Sequence, residues 1–77
     1  MRFELANCEA TILAEISSKV FTREDVAQTY ALTLVSSERD KVDWKKVNTA
    51  IMARWSVSAL KWIKERAWKI AQNGGRS

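Results

Sequence analysis

Residues 44–72 read WKKVNTAIMARWSVSALKWIKERAWKIAQ, and this stretch decides the fold. Its apolar side chains recur three or four positions apart, which is the spacing of a helix with one buried face. The periodicity is interrupted at Trp55-Ser56-Val57-Ser58, where a serine can cap a new helix. The sequence therefore predicts two helices, one over 44–54 and a longer one over 58–72.

Each of these predicted helices has an apolar face and a polar face. The expected N-caps are Asp43 for the shorter helix and Ser56 or Ser58 for the longer one. The expected core residues are Trp44, Val47, Ile51 and Trp55, with Met52 beside them, and then Leu60, Ile63, Ala67, Ile70 and Ala71. The opposite side of the longer helix carries Ser58, Lys61, Glu65, Lys69 and Gln72. We therefore expect the solvent face of the last helix to be basic.

The first forty residues predict two further helices. Helical spacing extends over 4–17, and its apolar residues are Leu5, Cys8, Ile12 and Ile16, with Leu13 beside them. Cys8 is thus expected to be a small core residue rather than a reactive thiol. Thr22 and Asp25 have the spacing of a capping box, so a second helix is expected over 23–36.

The second predicted helix also has one apolar face. This face comprises Val26, Ala27, Tyr30, Ala31 and Leu34. Leu32 and Val35 fall outside it and are free to meet the first helix or a partner. Residues 36–41 are polar and lack apolar spacing, which predicts a loop.

Helix breakers are missing from almost the whole chain. Proline is absent, and the only glycines are Gly74 and Gly75. We predict an all-α fold, a compact bundle of three to four short helices with a helix-turn-helix-like C-terminal pair. Residues 1–72 are expected to form a single domain, followed by a flexible tail over 73–77.

Charge is distributed unevenly along the sequence. Residues 1–40 contain four basic and seven acidic residues, a net charge of −3. Residues 41–77 contain nine basic and two acidic residues, a net charge of +7. Such polarity favours a polyanionic partner, which the basic half would contact.

Several function classes are disfavoured by the residue types present. Cys8 is the only cysteine and histidine is absent, which excludes an intramolecular disulfide, the common zinc sites and histidine acid–base chemistry. A glycine-rich phosphate loop is also lacking. We therefore expect a protein that is not an enzyme and needs no metal, cofactor or small-molecule substrate.

The expected location is intracellular. No apolar run is long enough to span a bilayer, and Met1-Arg2-Phe3 does not open a signal peptide. The sequence thus predicts a cytoplasmic protein of a bacterium or phage, or a nuclear protein, with no membrane partner.

Three segments resemble the Myb/SANT family over about residues 21–70. Phe21-Thr22-Arg23-Glu24-Asp25 is similar to the opening of a repeat, where an aromatic residue precedes Thr or Ser and an acidic pair. Trp44-x-x-Val47-x-x-x-Ile51-x-x-Arg54 resembles the second helix of that family. Ala59 and Ile63 stand where its third helix has a small residue and its last core aromatic. The resemblance implies three helices around aromatic residues, with the last as the recognition helix. It also implies that the side chains facing the DNA groove are Lys61, Lys64, Glu65 and Lys69.

These observations predict a small nucleic-acid-binding protein, regulatory or accessory to transcription, with double-stranded DNA as its expected partner. The predicted contact residues are Lys45, Lys46, Lys61, Lys64, Glu65, Arg66, Trp68, Lys69 and Gln72. Lys45 and Lys46 suit phosphate anchoring, whereas Gln72 and Arg66 are the candidates for base readout. Because the outermost positions lack Asn and Arg, we expect modest sequence specificity. Trp62 and Trp68 border the apolar stripe, where each can cover the core edge or meet a partner.

An alternative from another class is a protein–protein interaction module. An adaptor or inhibitor of an acidic protein would use the first helix, Leu32, Val35 and Trp68 as contact residues. Homodimerisation through the first helix is compatible with either function. Binding to an anionic membrane is less favoured, since the core needs the apolar face of each helix.

Overall fold

The computed structural model describes residues 8–73, and their side chains from Glu9 onward. The predicted start of the first helix at 4–7, the side chain of Cys8 and the predicted tail at 74–77 lie outside this description. Within residues 8–73 there are four helices: α1 over Cys8–Ser17, α2 over Arg23–Leu34, α3 over Trp44–Arg54 and α4 over Val57–Asn73. A short 3-10 turn over Arg39–Lys41 precedes α3. Residues 8–73 contain no strand, so the all-α prediction is confirmed.

Side-chain caps fix where three of these helices begin. The Thr22 hydroxyl accepts a hydrogen bond from the Asp25 amide at 3.2 Å, and the Asp25 carboxylate accepts one from the Thr22 amide at 2.9 Å. This reciprocal pair is the predicted capping box. Asp43 caps α3 by accepting from the Lys46 amide at 3.1 Å. Ser56 accepts from the Ala59 amide at 3.1 Å. Of the two serines considered, Ser56 is therefore the N-cap of α4.

The helix boundaries differ from the predicted ones at three places. The second helix ends at Leu34 instead of 36, because the Ser36 amide and hydroxyl both bond the Thr33 carbonyl and turn the chain. The predicted loop over 36–41 contains the 3-10 turn. The last helix begins at Val57 rather than 58 and includes Asn73, which was predicted to start the tail.

The core is built from the predicted apolar stripes of all four helices. Its buried apolar residues are Ile12, Ile16, Val26, Ala27, Tyr30, Ala31, Val42, Val47, Ile51, Ala59, Ile63 and Ala67. Packed against them, and partly buried, are Leu13, Leu34, Trp44, Ala50, Trp55, Leu60, Ile70 and Ala71. Two buried apolar residues were not among the predicted core residues: Val42, which stands alone in a polar segment, and Ala59 at the start of α4. The most extensive helix contact joins α2 and α4.

The first helix holds α3 at both ends. One oxygen of Glu9 accepts a hydrogen bond from the Asp43 amide at 3.0 Å, and the other lies 3.8 Å from the Lys46 ammonium. At the opposite end, the Arg54 guanidinium donates to the Ile16 carbonyl at 3.0 Å. The start of α1 thus meets the start of α3 and the two ends also meet, so these helices run parallel.

Tyr30 connects α2 to α3 through a buried polar contact. Its hydroxyl donates to the Asn48 side chain at 2.9 Å, and its ring lies 4.8 Å from that of Trp44. Burial raises the pKa of Tyr30, which keeps the hydroxyl protonated as a donor. The Trp44 indole in turn donates to the Arg39 carbonyl at 3.0 Å. The 3-10 turn is thereby fixed to the start of α3.

Replacing Thr22 with alanine tests the capping box. Thr22→Ala should lower the free energy of unfolding by about 1 kcal/mol, because the Asp25 amide loses its acceptor at the start of α2. Thr49→Ala is the matched control, since Thr49 is exposed within α3. Urea unfolding followed by circular dichroism measures both variants. Equal stability of the two would show that the cap contributes nothing.

Replacing Arg54 with lysine tests the connection between the ends of α1 and α3. The Arg54 guanidinium also lies 4.4 Å from the centre of the Trp55 ring. Arg54→Lys keeps the charge but loses the planar donor, and should cost about 1 kcal/mol in thermal or urea unfolding. The control is Arg39→Lys, at an exposed side chain. A loss no larger than that of the control would assign the connection no role in stability.

Candidate nucleic-acid interface

The last helix presents most of its circumference to solvent. Its buried residues are Ala59, Ile63 and Ala67, which stand four positions apart along one narrow row. Eleven of its seventeen residues are exposed. Two of the three buried side chains are those of alanine, so α4 needs only a thin strip of its surface to pack on the core. The wide outer face is left available to a partner.

Seven of the nine predicted contact residues lie together on this exposed surface. They are Lys61, Lys64, Glu65, Arg66, Trp68, Lys69 and Gln72. Lys45 and Lys46 are also exposed, but they occupy the first turn of α3. That turn lies roughly 15 Å along α3 from the connection to α4. The seven residues of α4 thus belong to one helix surface. Lys45 and Lys46 lie at the end of α3 that is farther from the turn leading into α4.

Lys46 has an acidic partner, whereas Lys45 has none among residues 8–73. The Lys46 ammonium lies 3.8 Å from Glu9, and both side chains remain partly exposed. Exposed pairs of this kind are weak and are screened by salt. Of the two predicted phosphate anchors, Lys45 is therefore the one without a carboxylate partner in the described part of the chain.

Arg66 is held by an acidic residue of α2. Its guanidinium makes three hydrogen bonds of 3.1 to 3.3 Å with the two carboxylate oxygens of Glu24. The hydrogen bonds from Arg66 lower the pKa of Glu24, with a smaller effect from Gln28. The same contact raises the pKa of Arg66. Glu24 thus occupies the Nε and Nη2 donors of the guanidinium, whereas Nη1 has no hydrogen bond within residues 8–73.

The three outer lysines of α4 have no ion pair within residues 8–73. In the same part of the chain, the ion pairs join Glu9 to Lys46, Glu24 to Arg66 and Glu38 to Lys41. Asp25 and Asp43 act as helix caps. Within residues 9–40, the side chains of Glu9, Glu24, Asp25 and Glu38 are thus used in contacts, whereas those of Glu15 and Asp40 have no hydrogen bond or ion pair with the described residues. None of them neutralises Lys61, Lys64 or Lys69.

The two tryptophans of α4 lie on opposite flanks and have different surroundings. Trp62 is 42% exposed, and the Arg23 guanidinium lies 5.6 Å from the centre of its ring. Trp68 is 50% exposed and has no ring or cation contact among the described residues. Sequence reasoning placed both at the edge of the apolar stripe, which is confirmed, but it did not predict that Arg23 covers Trp62.

A shallow groove runs along each flank. The groove beside Trp62 has a volume of about 400 Å³ and is lined by Glu24, Trp62, Glu65, Arg66 and Lys69. The groove beside Trp68 has a volume of about 330 Å³ and is lined by Val57, Leu60, Lys61, Lys64, Glu65 and Trp68. The first groove contains equal numbers of acidic and basic residues. The second combines apolar side chains with an excess of positive charge.

Two other kinds of site were sought in the part of the chain that the structure describes. No group of three or more His, Cys, Asp or Glu side chains there is arranged to hold a metal ion. None of its helices combines the length and the apolar character that crossing a membrane requires.

Comparison of the chain with known protein families, curated proteins and solved structures gives no match. The resemblance to Myb/SANT repeats stays a prediction.

Replacing Glu24 with glutamine tests the contact between α2 and α4. At neutral pH and low salt, Glu24→Gln should be less stable than the natural protein, because Arg66 loses its charged partner. The pKa of Glu24 is lowered by folding, so its contribution is present above the ordinary glutamate range and is lost as acid protonates the carboxylate. The difference in urea midpoint should therefore be smaller in acid, below the ordinary glutamate range, than at neutral pH.

The matched control for this prediction is Glu65→Gln. Glu65 is exposed on α4 and has no ion pair within residues 8–73. The control should leave the midpoint unchanged at both pH values. A difference for Glu24→Gln that persisted in acid would rule out the charge of Glu24 as its cause.

Proposed function

We propose that this protein binds nucleic acid, with double-stranded DNA as the simplest partner, through the outer face of α4. The observation that carries the proposal is the set of three exposed lysines without acidic partners, Lys61, Lys64 and Lys69. Each such cation can displace a counterion condensed on a phosphate backbone, and this release drives sequence-independent binding.

The charge distribution of the folded chain supports the same function. Acidic side chains of α1 and α2 pair with Lys46 and Arg66. A polyanion approaching α4 meets Glu65 as the one acidic side chain of that helix. The field of the outer face therefore attracts phosphate rather than repelling it.

The connection between α3 and α4 is compatible with a helix-turn-helix. The helices are separated only by Trp55 and Ser56, and α4 is the longer of the two, with seventeen residues. A helix with its side chains is about 10–12 Å wide, which fits the major groove of about 12 Å. The exposed outer face of α4 would enter the groove, and α3 would lie behind it.

Sequence discrimination by this helix is expected to be weak. Arg66 is bonded to Glu24, and lysine contacts phosphates as a point charge. Glu65 can accept from a cytosine amino group and Gln72 can bond an adenine edge. Phosphate contacts would thus supply most of the affinity, as in accessory DNA-binding proteins.

Reversing the three outer charges of α4 tests the proposal. The variant Lys61→Glu/Lys64→Glu/Lys69→Glu should lose binding to mixed-sequence duplex DNA in a tryptophan-fluorescence titration. For the natural protein, the log–log dependence of affinity on salt should include about 2 to 3 units of slope from these lysines.

The control reverses three exposed cations elsewhere, in Lys19→Glu/Arg39→Glu/Lys41→Glu. Both variants have the same net charge, so a difference between them reports position and not total charge. The control should keep most of the binding. Equal losses, or no salt-sensitive binding by the natural protein, would contradict the proposal.

Binding of an acidic protein is a second candidate, favoured by exposed apolar residues of α2. Leu32 is 68% exposed and Val35 is 64% exposed. Both side chains thus remain largely exposed in the part of the chain that the structure describes. The apolar side chains of such a partner would cover Leu32 and Val35 at this end of α2. Its acidic side chains would pair with basic residues of this protein.

A further inference from the structure

We propose that the groove beside Trp68 holds an unpaired nucleobase, so that the protein binds a strand with free bases more tightly than an abasic strand with the same number of phosphates. This inference rests on the proposed function and adds a base-binding site to the same face. It follows from the half-exposed indole of Trp68, the apolar side chains that line the groove beside it and the two lysines of that lining.

Trp68 offers a half-exposed aromatic ring for stacking. Half of its surface is exposed, and no ring or guanidinium among residues 8–73 lies against it. Trp62 is less available, because Arg23 lies over its ring at 5.6 Å. Stacking on an exposed aromatic is open to any base, since every base has a π-face.

The groove has the composition that a base with its backbone requires. Val57 and Leu60 supply apolar side chains to its lining, and the charged side chains of the lining are two basic ones, Lys61 and Lys64, and one acidic one, Glu65. Its volume of about 330 Å³ stands at the lower end for ligand sites, which suits one planar ring. Lys61, Lys64 and Trp68 are spaced three and four residues apart, so they share one side of α4.

A base pair inside a duplex cannot use this site. Both faces of each paired base are covered by its neighbours, and exposing one requires unstacking at a cost of a few kcal/mol. A single strand presents its bases without that cost, while its phosphates still reach the lysines. The groove should therefore bind a strand that has unpaired bases and should not bind bases that are paired within a duplex.

The test compares an oligothymidylate with an abasic strand of the same length and phosphate number. The natural protein should bind the oligothymidylate on the order of tenfold more tightly, as expected for one stacked base. Trp68→Ala should remove this difference, and Trp68→Phe should retain most of it. Trp62→Ala is the matched control and should keep the full preference. Circular dichroism of each variant verifies that it is folded.

Different results contradict the two proposals. Salt-sensitive binding of both strands with equal affinity would overturn the stacking site but leave nucleic-acid binding intact. A preference that survives in Trp68→Ala would also overturn the site. No binding of either strand at low salt would overturn both proposals. A polyglutamate of equal charge that binds as tightly as the oligothymidylate would overturn the base-binding role and favour an acidic protein partner.

Discussion

The close packing of α4 on α2 through small side chains is the constraint on which the rest of the structure depends. Ala59 and Ala67 flank Ile63 in the buried row, and α2 contributes Val26, Ala27 and Ala31 to the core. Small residues let two helices approach closely with little surface from each. α4 can therefore be firmly packed and still expose eleven of its seventeen residues. If more of the circumference of α4 were buried, the positions that its lysines occupy would lie in the core and not at the surface.

The separation of charge within the fold follows from how the carboxylates are used. Asp25 and Asp43 cap helices, where their charge complements the positive end of the helix dipole. Glu9 and Glu24 connect α1 to α3 and α2 to α4. These four carboxylates are thus used within the bundle, and no ion pair with them neutralises Lys61, Lys64 or Lys69 on the outer face of α4. The carboxylates stabilise the fold, and the exposed lysines of α4 remain available for the proposed binding of nucleic acid.

Local signals in the sequence were sufficient for most of the fold. The capping box at Thr22 and the apolar stripes depend only on residues a few positions apart, and both are confirmed. The contacts that sequence reasoning missed join distant residues. Arg66 and Glu24 are 42 positions apart, and Arg54 meets a carbonyl 38 positions away. The spacing of apolar residues along the sequence does not reveal contacts between residues that lie so far apart. Arg66 was accordingly predicted to be available for base readout, and its bond to Glu24 appears only in the folded chain.

Nuclear magnetic resonance can map the interface on the intact protein most directly. Amide chemical shifts would be followed while mixed-sequence DNA is added at low salt. The largest changes should fall on the outer face of α4, around Lys61, Lys64 and Lys69, and α1 should be unaffected. Changes centred on Leu32 and Val35, or the absence of any change, would contradict nucleic-acid binding through α4.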